Sequence, residues 1–249
     1  MNNSKIIDAF PYFNEAALLK TRLEYLGPYV DKFIIFESSI DFSGRPRKLF
    51  LNKFNIEKLP HHEKIHIHQW HPTYLQKIYF YLSAKLKYKK GLWKIQNKQR
   101  NSITKALKGL NQEDILIFGD LDEFPDVEIL KNKASILAQL EANPIFSFSQ
   151  TMYYYDTSTV MDNDWRGSIV CKINTAIKKT PRRLRKYRLD YPEIGKGWHF
   201  SYFSEPAMIK EKILAIADAE NLSMYKSITT EEIKTAITES KDRTVTRDQ

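Results

Sequence analysis

The chain has 249 residues, of which 42% are hydrophobic and 13% aromatic, and a formal net charge of +9 at pH 7. This composition is typical of a globular domain with a sizeable core and excludes a disordered chain. The single cysteine, Cys171, excludes an intramolecular disulfide and is typical of a reducing compartment. Because no apolar run could span a bilayer and a strand-like segment begins almost at Met1, we expect a cytoplasmic protein without a signal peptide.

The positive charge comes mostly from lysines that are spread along the chain, with local concentrations at 85–90 and 178–188. Such a distribution is typical of a solvated surface. No recognised nucleic-acid motif accompanies it, so we expect no specific nucleic-acid binding. The alternative is a basic surface that attracts anionic substrates or the face of a membrane, which would allow a peripheral membrane association.

The N-terminal half alternates apolar strand-like runs with helical patterns. The predicted strands are 5–10, 32–37, 64–68 and 114–119, and the predicted helices are 14–26, 74–88, 92–107 and 126–141. Near-continuous apolar strands that alternate with helices predict an α/β fold with a mainly parallel sheet and helices on both faces. Such sheets bind ligands at the carboxyl ends of their strands.

The C-terminal half is less regular. Its predicted strands are 146–155, 168–173 and 197–203, and its predicted helices are 205–219 and 230–239. Without a repeat or a linker, the sequence predicts one domain. We expect a nucleotide-binding part at about 1–125, an acceptor part at about 126–220 and a helical tail at about 221–249.

Three carboxylates, Asp120, Asp122 and Glu123, directly follow the clearest buried strand of the sequence. In extended backbone, Asp120 and Asp122 would lie on one side, where their like charges favour a bound cation. Mg²⁺ or Mn²⁺ suits oxygen ligands and leaves coordination sites open for substrate phosphates. The alternative is an acidic helix N-terminus, since Asp126 and Glu128 also favour the helix that follows.

Six short motifs give the chain a resemblance to a known family. They are Asp8-Ala9-Phe10 with Phe13-Asn14-Glu15, Phe36-Glu37-Ser38-Ser39, Phe42-Ser43-Gly44-Arg45-Pro46, Gln99-Arg100-Asn101, Gly119-Asp120-Leu121-Asp122-Glu123-Phe124-Pro125 and Gly197-Trp198-His199-Phe200-Ser201-Tyr202-Phe203. In this order they resemble the family 17 glycosyltransferases, whose animal members add bisecting N-acetylglucosamine to N-glycans. The resemblance implies a GT-A type nucleotide-sugar fold and an inverting transfer, usually from UDP-N-acetylglucosamine (UDP-GlcNAc), to a glycan or other hydroxyl acceptor.

The resemblance also implies roles for residues of the donor site. Glu37 would bind the base or ribose, together with Phe10 and Asn14 at the neighbouring strand end. Arg100 would pair with the diphosphate or with Asp120, and the alternative is a plain surface arginine. His199 would approach the metal or the diphosphate. The alternative is a residue of the hydrophobic core, since an isolated histidine among aromatic residues is typical of a core.

In the metal site, Asp122 would be a direct ligand, and Asp120 would act through water or the ribose. Glu123 would hold an outer-shell water or support the following helix. An inverting transfer also needs a base for the acceptor hydroxyl, normally an Asp or Glu. Glu193 is the first candidate, although the family pattern places its acid slightly later, with Asp156 and Asp190 behind it.

Three other functions compete with this one. A glycoside hydrolase uses two carboxylates that are several ångströms apart, and three acids within four positions are too crowded for that arrangement. A noncatalytic sugar-binding protein would not require a metal site that faces a diphosphate. Another nucleotide-sugar-dependent enzyme is the third alternative.

Overall fold

The computed structural model describes residues 4–41, 44–51, 56–86, 89–215 and 227–239. Its N-terminal elements follow the predicted alternation. They are β1 (Ile6–Pro11), α1 (Ala16–Leu26), β2 (Lys32–Ser38), β3 (Ile65–Trp70), α2 (Tyr74–Lys85), α3 (Lys89–Ser102), α4 (Thr104–Leu107) and β4 (Ile115–Phe118). None of the helices in these described ranges is both long and apolar enough to cross a bilayer.

The second half contains four strands and a series of mostly short helices. They are β5 (Glu123–Pro125), α5 (Val127–Leu130), α6 (Lys133–Ala142), β6 (Ile145–Tyr154), β7 (Val160–Lys172), α7 (Ile173–Lys179), α8 (Pro181–Lys186), β8 (Glu193–Ser201), α9 (Pro206–Ala215) and α10 (Thr230–Thr238). The predicted helix 205–219 is therefore described only to Ala215, and its end lies outside the described residues.

The eight strands form one sheet in the order β3-β2-β1-β4-β7-β6-β8-β5. Strands β1 to β4 pair in parallel, and so do β6 and β8. The pairs β4–β7, β6–β7 and β5–β8 are antiparallel. The sheet is thus mixed but mostly parallel, and the α/β class predicted from the sequence is confirmed.

Helices cover both faces of this sheet, as the two faces of β1 illustrate. Ile6 and Phe10 pack into one core with Leu19 and Leu23 of α1. Ile7 and Ala9 belong to a second core, which includes Leu107 of α4 and Ala176 of α7. Successive side chains of a strand point to opposite faces, so a continuous apolar strand can supply both cores.

Several elements differ from the sequence prediction. The helix predicted at 126–141 is divided, because the Asn132 side chain accepts a 3.0 Å hydrogen bond from Ser135 N and begins α6. Strand β7 begins at Val160, eight residues earlier than predicted, and its first five residues are exposed. Helices α7 and α8 were not predicted, since their lysines and arginines hide the periodicity of Ile173, Ala176 and Leu184.

Candidate functional site

A cavity of about 260 Å³ opens where β1 and β4 end. Pro11, Tyr12 and Phe13 line it from the end of β1, and the turn Asp120–Asp122 lines it after β4. The rest of its charged and polar lining consists of Glu15, Asp41 and Arg47, Gln96, Gln99 and Arg100 of α3, His199 of β8, and Lys212 of α9. The cavity therefore occupies the carboxyl edge of the parallel strands, where α/β sheets bind ligands.

A buried arginine fixes the backbone of the acidic turn by hydrogen bonds from the core. Arg22 of α1 is fully buried and donates two hydrogen bonds of 2.8 Å to the carboxylate of Asp8 in β1. Its Nη1 also donates to the carbonyl oxygens of Leu121, at 3.2 Å, and Glu123. The turn between β4 and β5 is thus fixed by an ion pair inside the core.

The Glu123 carboxylate is fully buried and faces away from the cavity. Arg185 of α8 donates to both of its oxygens, at 2.6 and 2.8 Å, and Ser168 Oγ donates at 3.2 Å. Glu123 Oε2 also accepts from the backbone N–H of Asp120 at 3.0 Å. Gly119 makes this packing feasible, since a Cβ there would lie 1.9 Å from Ser168 Oγ. Glu123 supports the turn and does not offer free oxygens to a metal.

Asp120 lines the cavity between two arginines. Arg185 Nη2 donates to its Oδ2 at 2.8 Å, and Arg100 Nη2 lies 3.3 Å from both carboxylate oxygens. Burial alone would raise the pKa of Asp120, but the charges of Arg100 and Arg185 outweigh burial and lower it. Arg100, one of the predicted donor-site residues, therefore lies in the cavity beside the acidic turn.

Asp122 lies against two nitrogen-bearing side chains from distant elements. Strand β5 pairs with β8 so that Glu123 faces His199, and Phe200 N donates to Asp122 O at 2.8 Å. This pairing places His199 Nε2 3.6 Å from Asp122 Oδ1. On the other side, Lys212 Nζ donates to Asp122 Oδ2 at 2.8 Å. The structure thus brings Asp122 and His199 together.

The Lys212 ammonium is shared between two carboxylates, since it also lies 3.0 Å from Glu15 Oε1. Burial would lower the pKa of Lys212, but Asp122 and Glu15 raise it well above its ordinary value. Burial would likewise raise the pKa of Asp122, but Lys212, and then His199, hold it well below its ordinary value. The pair is charged at neutral pH.

The fit of a divalent cation depends on this same group of side chains. In the described ranges, no three His, Cys, Asp or Glu side chains form a cluster that would hold a metal on their own. However, Asp122 and Glu15 direct carboxylate oxygens at one point, and the ammonium of Lys212 stands there as a substitute cation. One or two carboxylates, completed by substrate phosphates and water, are what Mg²⁺ typically uses. The residues therefore fit a metal that binds together with a phosphate ligand.

Two residues predicted to contact the donor lie elsewhere. Phe10 is completely buried in the core and packs against the guanidinium of Arg22. The carboxylate of Glu37 is also buried, where it accepts from Phe50 N at 2.6 Å and from Leu51 N at 3.3 Å and lies 3.4 Å from Arg47. Neither lines the cavity. As donor contacts both remain predictions, and the structure places their side chains in the protein interior, because strand-end position alone did not reveal which side chains face inward.

Asn14 lies beside the site without lining the main cavity. Its backbone N–H donates to Glu15 Oε2 at 3.2 Å, and its side chain borders a smaller neighbouring cavity. The motif Phe13-Asn14-Glu15 therefore belongs to the site, but Phe13 and Glu15 are the members that face the main cavity.

The three candidate bases are not brought to the cavity. Glu193 begins β8 and lies 3.5 Å from Arg166, whereas His199 is six residues further along the strand, roughly 20 Å away in extended backbone. The Asp156 carboxylate accepts from Ser158 in the turn after β6, and Asp190 is exposed in a short 3-10 helix. Their assignment as base stays a prediction, and it requires an acceptor hydroxyl outside this cavity, because a base must reach the reacting hydroxyl.

Several residues of the cavity were not predicted from the sequence. Arg47 and Glu15 stand next to or within motifs of the resemblance, so those motifs were the signal that could have found them. Lys212 had no such signal, because it is one of several lysines on an ordinary helix. Only the tertiary packing of α9 identifies it.

No curated protein matches the sequence. The structure is similar to a 2-C-methyl-D-erythritol 4-phosphate cytidylyltransferase from Francisella tularensis, with 12% identity, a TM-score of 0.40 and coverage of 78% of this chain and 91% of the other. For the galactosyltransferase LgtC, the identity is 10%, the TM-score 0.37 and the coverage 94% and 95%. For mouse xyloside xylosyltransferase 1, the identity is 9%, the TM-score 0.31, and the coverage 76% of this chain and 77% of the other.

The sequence was also compared with models of protein families. The model of glycosyltransferase family 17 matches residues 1–245, nearly the whole chain. The α/β fold and the acidic turn at the end of β4 agree with what the six motifs implied. The chain belongs to glycosyltransferase family 17 and is a glycosyltransferase.

Proposed function

We propose that this glycosyltransferase moves N-acetylglucosamine from UDP-GlcNAc to a hydroxyl of a glycan or glycoconjugate, with inversion and with the help of Mn²⁺ or Mg²⁺. The observation that carries the proposal is the joint position of Asp120, Asp122, Arg100 and His199 around one cavity at the carboxyl edge of the sheet. The residues come from three separate parts of the chain. Their convergence supports a site for a charged, phosphate-bearing donor.

The charge of the cavity supports the need for a divalent cation. Among the described residues that line it, the four acids are Glu15, Asp41, Asp120 and Asp122, and the three cations are Arg47, Arg100 and Lys212. With His199 neutral, their formal charge is −1. A nucleotide diphosphate is itself an anion and would be repelled by such a lining. A divalent cation that binds with it reverses the sign of the local charge.

Asp122 is the residue that we expect to hold the cation, with Glu15 or His199 next to it. When bound, the cation would stabilise the negative charge that develops on the departing diphosphate. Asp120, held by Arg100 and Arg185, would contact the ribose of the donor. Arg100 donates from α3 and can turn one of its N–H groups to a phosphate oxygen.

The turn between β4 and β5 has to be rigid if its carboxylates are to hold the cation and the donor. Arg22 fixes its backbone through three carbonyl contacts, and Arg185 fixes Glu123 and Asp120 from the other side. Preorganised charges accelerate a reaction more than mobile ones because little reorganisation is needed when charge develops. The two buried arginines therefore belong to the positioning of the site.

Calorimetry with UDP and Mn²⁺ tests the proposal against its alternatives. We expect UDP to bind in the presence of Mn²⁺ and to bind at least tenfold more weakly in EDTA, since the lining is anionic without the cation. A sugar-binding protein would ignore the nucleotide, and a hydrolase would ignore both components. Binding of a purine nucleotide in preference to UDP would contradict the assigned donor.

A further inference from the structure

Helices α2 and α3 form a hairpin whose outer face is apolar. Of the twelve large hydrophobic side chains that are exposed among the described residues, eight lie between 74 and 93. Four of them follow helical spacing along and just past α2: Leu75, Ile78, Leu82 and Leu86. Leu75 is 77% exposed and Leu86 is 75% exposed. Exposed apolar surface of this extent marks a site of interaction.

The hairpin is firmly attached to the protein by its opposite face. Phe80 of α2 and Ile95 of α3 are completely buried, and the Phe80 ring lies 6.4 Å from that of Trp70 in β3. The exposed stripe is therefore not a core face that has failed to pack. The hairpin has one apolar face for the core and a second one that points to solvent.

The charge around this stripe has a single sign. Between Glu63 and Glu113 the sequence contains no aspartate or glutamate, and it contains eleven lysines and arginines. Lys77 and Lys85 are exposed on α2 itself, and Lys94 of α3 lies over the ring of Tyr79 at 5.2 Å. A partner of this face must accept apolar and aromatic side chains and carry negative charge.

We propose that the α2–α3 hairpin docks the protein on an anionic membrane surface, with the stripe in the headgroup region. Tyrosine and tryptophan, here Tyr81 and Trp93, favour the membrane interface, and leucines enter the acyl boundary. Lysines around the stripe gain energy from anionic lipid headgroups. A second copy of the chain fits this face less well, because an isologous contact would bring two cationic surfaces together.

The docked hairpin would bring the cavity close to the membrane. Gln96, Gln99 and Arg100 of α3 line the cavity, while Trp93 one turn earlier is exposed. The same helix thus contacts the donor site and the proposed docking face. The inference rests on the exposed face and its charge, so it stands independently of the donor and metal proposed above.

Sedimentation of the full chain with vesicles tests the inference. The probes are vesicles of phosphatidylcholine alone and of phosphatidylcholine mixed with phosphatidylglycerol. We expect binding to the anionic vesicles only, weakened by added NaCl because salt screens the lysines. No binding to either vesicle, or equal binding to both, would overturn the proposal.

Two double variants of the hairpin, each with a matched control, test whether the hairpin is responsible for vesicle binding. Leu75→Gln with Leu82→Gln should weaken binding at least tenfold, whereas Leu189→Gln, exposed outside the hairpin, should not. Lys77→Gln with Lys85→Gln should weaken it about 25-fold, or about fivefold for each lysine. Lys20→Gln with Lys58→Gln, exposed elsewhere, is the control.

All of these positions are exposed, so the variants should fold, and circular dichroism with UDP affinity will confirm it. Vesicle binding that is unchanged in both hairpin variants would overturn the proposal. So would a dimer in solution that Leu75→Gln with Leu82→Gln converts to a monomer while neither form binds vesicles. That result would identify the face as a contact between copies of the chain.

Discussion

The side-chain nitrogen of Lys212 lies 2.8 Å from Oδ2 of Asp122. A metal ion bound by Asp122 would need this same position. Lys212 comes from α9, ninety positions after Asp122, and it also contacts Glu15 from the start of α1. Before a divalent cation can use these oxygens, the ammonium has to move aside. Without a bound cation, the Lys212 ammonium therefore offsets part of the negative charge of Asp122 and Glu15.

Removal of this ammonium should increase the affinity for the metal alone. In Lys212→Gln, Mn²⁺ no longer competes with a tethered cation for Asp122 and Glu15, so we expect about tenfold tighter binding without nucleotide. Electron paramagnetic resonance of free Mn²⁺ measures this affinity. Lys210→Gln, on the same helix and outside the cavity lining, is the matched control. Equal Mn²⁺ affinity in Lys212→Gln and the wild type would show that the ammonium does not occupy the metal position.

The buried pair of Arg22 and Asp8 should contribute strongly to stability. Arg22→Met leaves Asp8 buried without its partner, and we expect the free energy of unfolding to fall by about 3–5 kcal/mol in urea titrations at pH 7. Lys20→Met on the same helix breaks only the exposed pair with Glu24 and should cost less than about 1 kcal/mol. Asp8→Leu combined with Arg22→Met should recover part of the loss. An Arg22→Met cost below about 1 kcal/mol would contradict the account of the turn.

Much of the fold and part of this site could be predicted from the sequence. The apolar run before Asp120 identified β4, and the alternation of elements identified the α/β class. His199 was expected from its motif, and the pairing of β5 with β8 explains why it reaches Asp122. Spacing along the chain could not reveal this pairing, since β5 has only three residues.

The differences between the sequence predictions and the structure at this site have a common physical origin. Phe10 and Glu37 were assigned to the donor because their strands end at the right edge of the sheet. However, whether a side chain faces the cavity or the core depends on strand register and on the loop at 44–51, which tertiary packing determines. The same holds for Lys212, whose role depends on where α9 packs.

Replacement of Glu193 by Gln tests whether Glu193 is the catalytic base. Because Glu193 lies at the far end of β8 from His199, donor turnover by Glu193→Gln should stay within about threefold of the wild type. The measurement is the rate of UDP release from UDP-GlcNAc in Mn²⁺. A loss of about a hundredfold or more would restore Glu193 as the base and would contradict the position of the site.

Cys171 should be inert in the folded protein. It is completely buried, and burial raises the pKa of its thiol to about 12, so the reactive thiolate is scarce at pH 8. A thiol-reactive dye should label the protein at pH 8 only after unfolding in urea. Rapid labelling under native conditions would show that the core around β7 opens readily.

Asp122 is the residue that we propose to hold the cation and, through it, the diphosphate of the donor. The measurement that tests it is the rate of UDP release from UDP-GlcNAc in Mn²⁺ by the wild type, by Asp122→Asn and by Asp126→Asn. Asp126 caps α5, and asparagine caps equally well, so this control should remain active. We predict at least a hundredfold loss for Asp122→Asn, about 2.7 kcal/mol of transition-state stabilisation. Release by Asp122→Asn near the wild-type rate would contradict the account and leave the acidic turn as a structural feature.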